Sequence, residues 1–276
     1  MKKVIPFILV IIVPYVSFAQ TSGELFSYRM NQQPKIKSYT IIASSHMVFG
    51  CLKSGIGSLL HNKNFLSGCA YGALGGTLTA GAVVAVSNAP YYPGAGAAGK
   101  LMNDIGLSLQ DNIMLGLEPL DNLSTDIGFL SITVGKNSSI KYTVTPAAGI
   151  IAFVAKGFDF KWRQSLYNLT PVFRENGGFM AQGSWWKGIA IGNTVLYSDK
   201  SALSHELIHT LQWSRMRSAQ HLGNKIPVLS RIQKDGQWNI THDLLLLGMV
   251  GPNNTIEDAY YYNPLELEAY VGQRRR

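Results

Sequence analysis

From Asn64 to Gly99 the chain carries no charged residue, and within that stretch Gly68, Gly72, Gly76 and Ala80 recur every four residues. Spacing of four puts side chains on one face of a helix. Glycine costs a water-exposed helix about 1 kcal/mol relative to alanine, so a helix this rich in glycine needs compensation from close packing. Two environments provide it. In a membrane, small residues four apart let helix backbones approach, and the length between Phe65 and Ala89 is enough to span. In a soluble fold, the same stripe suits a buried hairpin of small-residue helices. The composition favours alanine and glycine over leucine, so membrane insertion or tight membrane association through residues 65–89 and soluble packing are both open.

The rest of the chain is organised around this stretch. Residues 20–40 are polar and aperiodic, which reads as an extended lead-in. A helix is expected from Ile41 to about Leu60, with Lys53 its one charge. Asn88 to Gly96 reads as a loop by its Pro and Gly content. A further helix from Ala97 to about Leu115 would place Met102, Ile105, Leu109 and Ile113 on one side. Beyond it Ile127–Val134, Ile140–Val144 and Ile150–Val154 look like strands, with a turn at 135–138. The texture therefore changes near residue 118, from a glycine-rich helical region (20–118) to an α+β segment (119–276).

The first nineteen residues form a third unit. Met1-Lys2-Lys3 precedes an apolar run from Val4 to Val16 and then Ser17-Phe18-Ala19. Residues 1–19 thus read as a secretory signal peptide cut after Ala19, and export to the periplasm or beyond is expected. The net charge is +8, part of it from the terminal Arg274, Arg275 and Arg276. A solvated basic tail is sufficient for that triplet. The other basic residues are scattered, without the aromatic interleaving of single-strand binders, and nucleic acid is not an expected partner. There are two cysteines, Cys51 and Cys69. With a helical hairpin turning at Asn62-Lys63, they differ by roughly 7 Å along the axis, which is too far for a disulfide. Two buried free thiols are expected.

Gly94-Ala95-Gly96-Ala97-Ala98-Gly99-Lys100 resembles phosphate-binding loops. The P-loop needs Ser or Thr after its lysine, and that position is Leu101. Pro90 and Pro93, in place of a strand, lead into it. No nucleotide is expected, and a loop entering a helix N-terminus accounts for the pattern.

The chemistry lies in Ser201-Ala202-Leu203-Ser204-His205-Glu206-Leu207-Ile208-His209. His205 and His209 are one helical turn apart and can point two imidazoles at one metal ion, with Glu206 beside it to take a proton from water. Zinc suits such ligands. Leu203, Leu207, Ile208 and Leu211 give this helix an apolar face, Ser201 could cap it, and Ile189–Tyr197 reads as a strand leading in.

A catalytic zinc needs a third protein ligand and an open position. Asp243, Glu257, Asp258, Glu266, Glu268, His221 and His242 are available. Asn263-Pro264-Leu265-Glu266-Leu267-Glu268-Ala269-Tyr270 resembles the Asn-Pro-x-Glu-x-x-Ala pattern of the gluzincin metallopeptidases. That resemblance implies Glu266 as the third ligand, with Glu268 as runner-up, and Ala269 as a small residue packed near the metal-site helix. It covers residues 188–276 and lies in the two motifs. Asn263, Pro264 and Glu266 also make a helix-capping arrangement, which is compatible with ligation. A zincin-like core preceded by a glycine-rich helical region is then the expected fold. The expected activity is peptide-bond hydrolysis by zinc-activated water with Glu206 as general base. Tyr260, Tyr261, Tyr262 and His242 are possible oxyanion donors. The alternatives are a zinc amidase acting on cell-wall material and a non-catalytic envelope or membrane structural protein that retains a zinc-binding fold.

Overall fold

In the computed structural model, the residues described are 35–127, 130–136, 139–144, 158–176, 187–215, 231 and 268–269. The first three elements among these residues are long helices, α1 (Lys35–Leu60), α2 (Phe65–Ser87) and α3 (Ala95–Met114). Asn64 starts α2 by accepting a hydrogen bond from the Ser67 amide at 3.1 Å, an ordinary N-cap. Gly94, at φ 87°, makes the left-handed turn into α3. The expected loop before that helix is therefore present, and Lys100 is not offered to a phosphate. It is 1% exposed, lying 3.5 Å from Asp104 and 3.2 Å from Ser214 Oγ.

The glycine stripe is used for helix packing. Gly68, Gly72, Gly76 and Ala80 are all buried. A Cβ on Gly72 would collide with the Gly50 carbonyl, and one on Gly76 with the His46 carbonyl. These contacts set the hairpin register. Gly50 and Gly72 are equidistant from residue 61, as are His46 and Gly76. Cys51 and Cys69 then differ by only two residues about that midpoint, or about 3 Å. They form a disulfide with a Cα–Cα distance of 3.8 Å. This corrects the expectation of free thiols, which placed the midpoint too late in the chain.

Two further expectations change. Helix α1 begins at Lys35, so the lead-in is shorter than expected. Tyr39 Oη bonds Ser87 Oγ at 3.0 Å, and Ile42 packs with Ala80, which anchors that first turn. On α3, Leu109 and Ile113 are buried, but Ile105 is exposed. The buried side carries Asn103, Asp104, Asp111 and Asn112 instead, because they bond neighbouring elements. Thr125 Oγ1 donates to Asp104 at 2.6 Å and Lys53 to Asp111 at 2.6 Å.

Two sheets follow, giving an α+β fold. Strands β1 (Asn122–Ile127), β2 (Leu130–Gly135) and β3 (Ile140–Val144) form an antiparallel meander. The single strand expected over Ile127–Val134 is divided, with Ile127 opposite Leu130. Residues 150–154, also expected as a strand, lie outside the described set. The second sheet contains β4 (Phe158–Phe160), β5 (Val172–Glu175), β6 (Gly188–Ile191) and β7 (Thr194–Tyr197) in the order β4-β5-β7-β6. A short helix α4 (Trp162–Asn168) joins β4 to β5. Only the β5–β7 pair is parallel. The strand expected over Ile189–Tyr197 is thus a hairpin, with Ile191 opposite Thr194. Gly192 sits at φ 60°, the first central position of a two-residue hairpin turn. Asn193 bonds the Asp126 carbonyl and lies 3.3 Å from Thr170 Oγ1, joining the two sheets.

The last long element among the described residues is α5 (Leu203–Arg215). Its apolar face is buried as expected. Leu203, Leu207, Ile208 and Leu211 share one core with Val172, Val195 and Tyr197 of the second sheet, with Ala82, Val83 and Val86 of α2, and with Ala269. The main core therefore draws on residues from both sides of position 118.

Candidate metal centre

Helix α5 follows a 3-10 turn at Lys200–Ala202, whose cap is Asp199, not Ser201. The Asp199 carboxylate accepts from the Ser201 amide at 2.9 Å. One turn further, the helix carries His205 and Glu206, both buried, and then the half-buried His209. The two histidines meet as the spacing predicts. Their Nε2 atoms are 3.1 Å apart, with ring planes at 83°. Two nitrogens on one tetrahedral zinc, each at 2.0–2.1 Å, would be separated by about 3.3 Å. The pair therefore has the spacing of two ligands on one ion.

Hydrogen bonding shows which nitrogen of His209 carries the proton. Gln212 Nε2 lies 2.8 Å from Glu268 Oε2. A carboxylate only accepts, so the Gln212 amide nitrogen faces it and the Gln212 oxygen faces the other way. That oxygen is 2.7 Å from His209 Nδ1, which must donate. In the neutral ring His209 Nε2 then carries the lone pair, the form a metal requires, and in the metal-free protein it accepts from His205 Nε2 at 3.1 Å.

Glu268 is itself held firmly. Arg215 Nη1 donates to its two oxygens at 2.8 and 2.7 Å, and His46 Nε2 lies 3.0 Å from Oε1. Burial favours the neutral acid. The charge of Arg215, with His46 beside it, outweighs burial and holds the carboxyl well below the usual range. His46 shifts in the opposite chemical sense. Burial and then the Arg215 charge lower its pKa, against the pull of Glu268. Its Nδ1 rests 2.9 Å from Thr79 Oγ1, so the cluster reaches both helices of the hairpin.

Glu206 packs against the start of β6. A Cβ at Gly188 would lie 2.7 Å from Glu206 Cγ and 2.9 Å from its Oε1. Only glycine leaves that space to the carboxylate. Strand β6 has one neighbour, β7, among the described residues, and its other edge is on the side where an extended chain could pair.

Of the expected third ligands, Glu266 lies outside the described residues, as do Asp243, Glu257, Asp258, His221 and His242. The same holds for Tyr260, Tyr261 and Tyr262. Glu268, the runner-up, is described and does not join the pair. Among the described residues, no group of three or more His, Cys, Asp or Glu is placed to hold a metal ion. Both Glu268 oxygens are taken by Arg215, His46 and Gln212. Ala269 is fully buried in the core beside the apolar face of α5, where the resemblance placed it. Sequence reasoning missed Gln212, Arg215, His46 and Gly188. Gln212 was within reach, since it stands three residues after His209 and such residues are neighbours on a helix. The other three carry no local signal.

The chain matches no protein-family model, no curated protein and no solved structure.

Proposed function

We propose that the chain is an exported zinc-dependent hydrolase of peptide bonds. The observation that carries this reading is the meeting of two imidazole Nε2 atoms at 3.1 Å, one of them in a ring whose Nδ1 is bonded to Gln212, beside a buried glutamate. His205, His209 and Glu266 would hold the ion. Bound zinc lowers the pKa of a water toward neutrality and polarises a carbonyl. Glu206 would serve as the general base, taking a proton from the attacking water and returning it to the leaving amine. Burial of Glu206 against Gly188 restricts the carboxylate to a small volume next to the histidines. The edge of β6 that carries no strand among the described residues would give an extended peptide a row of backbone partners. A mixed sheet whose antiparallel edge strand packs on the histidine helix also suits a zincin-like core.

The Cys51–Cys69 disulfide supports export, because such bonds persist in oxidising compartments. Substrate selection between proteins and cell-wall amides depends on groups beyond the shared hydrolytic chemistry. The test is zinc content together with cleavage of peptide libraries and cell-wall fragments, for the wild type and Glu206→Gln. Zinc should remain stoichiometric in both, while cleavage falls at least about 100-fold in the variant. No cleavage in either would favour the structural, non-catalytic alternative.

One observation favours an additional, tight association with a bilayer. The glycine face of the hairpin is turned inward, yet Val48 and Leu52 of α1 and Leu66 and Leu74 of α2 are exposed. Among the described residues, α2 is also the one helix long and apolar enough to cross a membrane. Carbonate washing of a membrane fraction tests this. Retention in the pellet is expected for a tightly docked hairpin, and release excludes it.

A further inference from the structure

The hydrogen bonds around Gln212 extend this metal reading to residues off the motif. We propose that Gln212, anchored by Glu268, is a positioning residue that fixes the tautomer of His209 and so sets the affinity for zinc. The inference rests on the metal-centre reading above, but its first half concerns the metal-free protein alone.

The argument runs through donors and acceptors. Arg215 fixes the Glu268 carboxylate through contacts at 2.7 and 2.8 Å, and His46 holds it at 3.0 Å from a different helix. Arg215 also reaches the Thr79 carbonyl with Nη2 at 3.4 Å. The acceptor is therefore supported from α1, α2 and α5 together. An amide can turn over and present either atom, but opposite a carboxylate only its NH2 group is satisfied. With the nitrogen at Glu268, the oxygen must face His209 Nδ1 at 2.7 Å. The proton is thus held on Nδ1, away from the metal side. Zinc binds only an unprotonated nitrogen, so the relay prepares the ligand before the ion arrives. Removing partners of this kind typically weakens metal affinity 10–100-fold.

The full-length protein can be tested in two ways. Long-range nitrogen–proton correlation of the metal-free protein reports which imidazole nitrogen of His209 is protonated. Competition with a chromogenic chelator reports the zinc Kd. The wild type should show Nδ1–H at His209. Gln212→Leu should lose that preference and bind zinc about 10–100-fold more weakly. Glu268→Gln should give a mixture of tautomers, because the Gln212 amide can then turn over. Exchanging the two groups, as Gln212→Glu with Glu268→Gln, restores one acceptor toward His209 and one donor behind it. That double variant should recover the Nδ1–H tautomer and most of the affinity, which a purely packing role would not. It also keeps the proposal testable if Gln212→Leu fails to fold. An Nε2–H tautomer in the wild type, or an unchanged Kd in Gln212→Leu, would overturn the proposal. Absence of zinc binding in the wild type would defeat the metal reading and the affinity half, and the nitrogen spectrum would still decide the tautomer half.

Discussion

At the scale of single residues, the group with the largest leverage outside the motif is Glu268. Its carboxylate is buried, yet it is kept ionised by Arg215 and His46. Groups whose pKa is lowered by folding contribute stability above their unfolded pKa and lose it as the pH falls. For His46 the ordinary value is 6.5 and the folded value is lower, so the unfolded chain takes up its proton first. The contribution is complete above that pH and declines below it. For Glu268 the decline begins near its ordinary 4.5. The melting temperature should therefore fall in two stages on acidification, one starting near pH 6.5 and one near 4.5. His46→Gln should remove the first stage and leave the second. A melting series across pH for both proteins checks this, and an identical profile in the variant would refute it. A second residue-scale expectation concerns Gly188→Ala. The added methyl would meet Glu206 Cγ at 2.7 Å and displace the carboxylate. Cleavage should fall about 10-fold or more, a part of the roughly 100- to 10,000-fold that an acid–base group contributes, while zinc content holds, as measured by metal analysis beside a peptide assay.

At the scale of elements, the α1–α2 hairpin decides the sign of a familiar substitution. Replacing an exposed helical glycine by alanine gains about 1 kcal/mol. At Gly72 the new Cβ would strike the backbone carbonyl of Gly50, which cannot move aside as a side chain could. Overpacking of that kind costs about 1–3 kcal/mol or more. Gly72→Ala should therefore destabilise, whereas Ala at an exposed helix position should not; urea unfolding would show the contrast. The disulfide belongs to the same element. Its sequence separation of 18 corresponds to a contribution of about 3 kcal/mol. Cys51→Ser with Cys69→Ser should lower the unfolding free energy by that amount, and added reductant should then have no further effect. The elements were unevenly legible in the sequence. The glycine period announced close helix packing, and the His205–His209 spacing announced the meeting of the two imidazoles, because both depend on local helical geometry. The hairpin at Gly192-Asn193 was also written locally but lay hidden inside an apolar run. The Cys51–Cys69 pairing was not legible, because it depends on an interhelical register that the turn residues alone do not determine.

At the scale of the whole molecule, the support behind the histidine helix is assembled from distant parts of the chain. His46 and Glu268 are 222 positions apart, and Lys100 meets Ser214 across 114. No reading of local pattern could have joined them, since their proximity exists only once the hairpin, the sheets and α5 have packed on one core. Long-range contacts of this kind are slow to form, because chain entropy is lost before they are rewarded.

The late position of that carboxylate also has a consequence in time. A growing polypeptide presents His46, the bridged helices and the histidine motif long before residue 268 is synthesised. Until then the Gln212 amide lacks the Glu268 carboxylate as its acceptor. The hydrogen bonds that join Gln212, Arg215 and His46 to Glu268 are therefore completed only after residue 268 has been added to the chain.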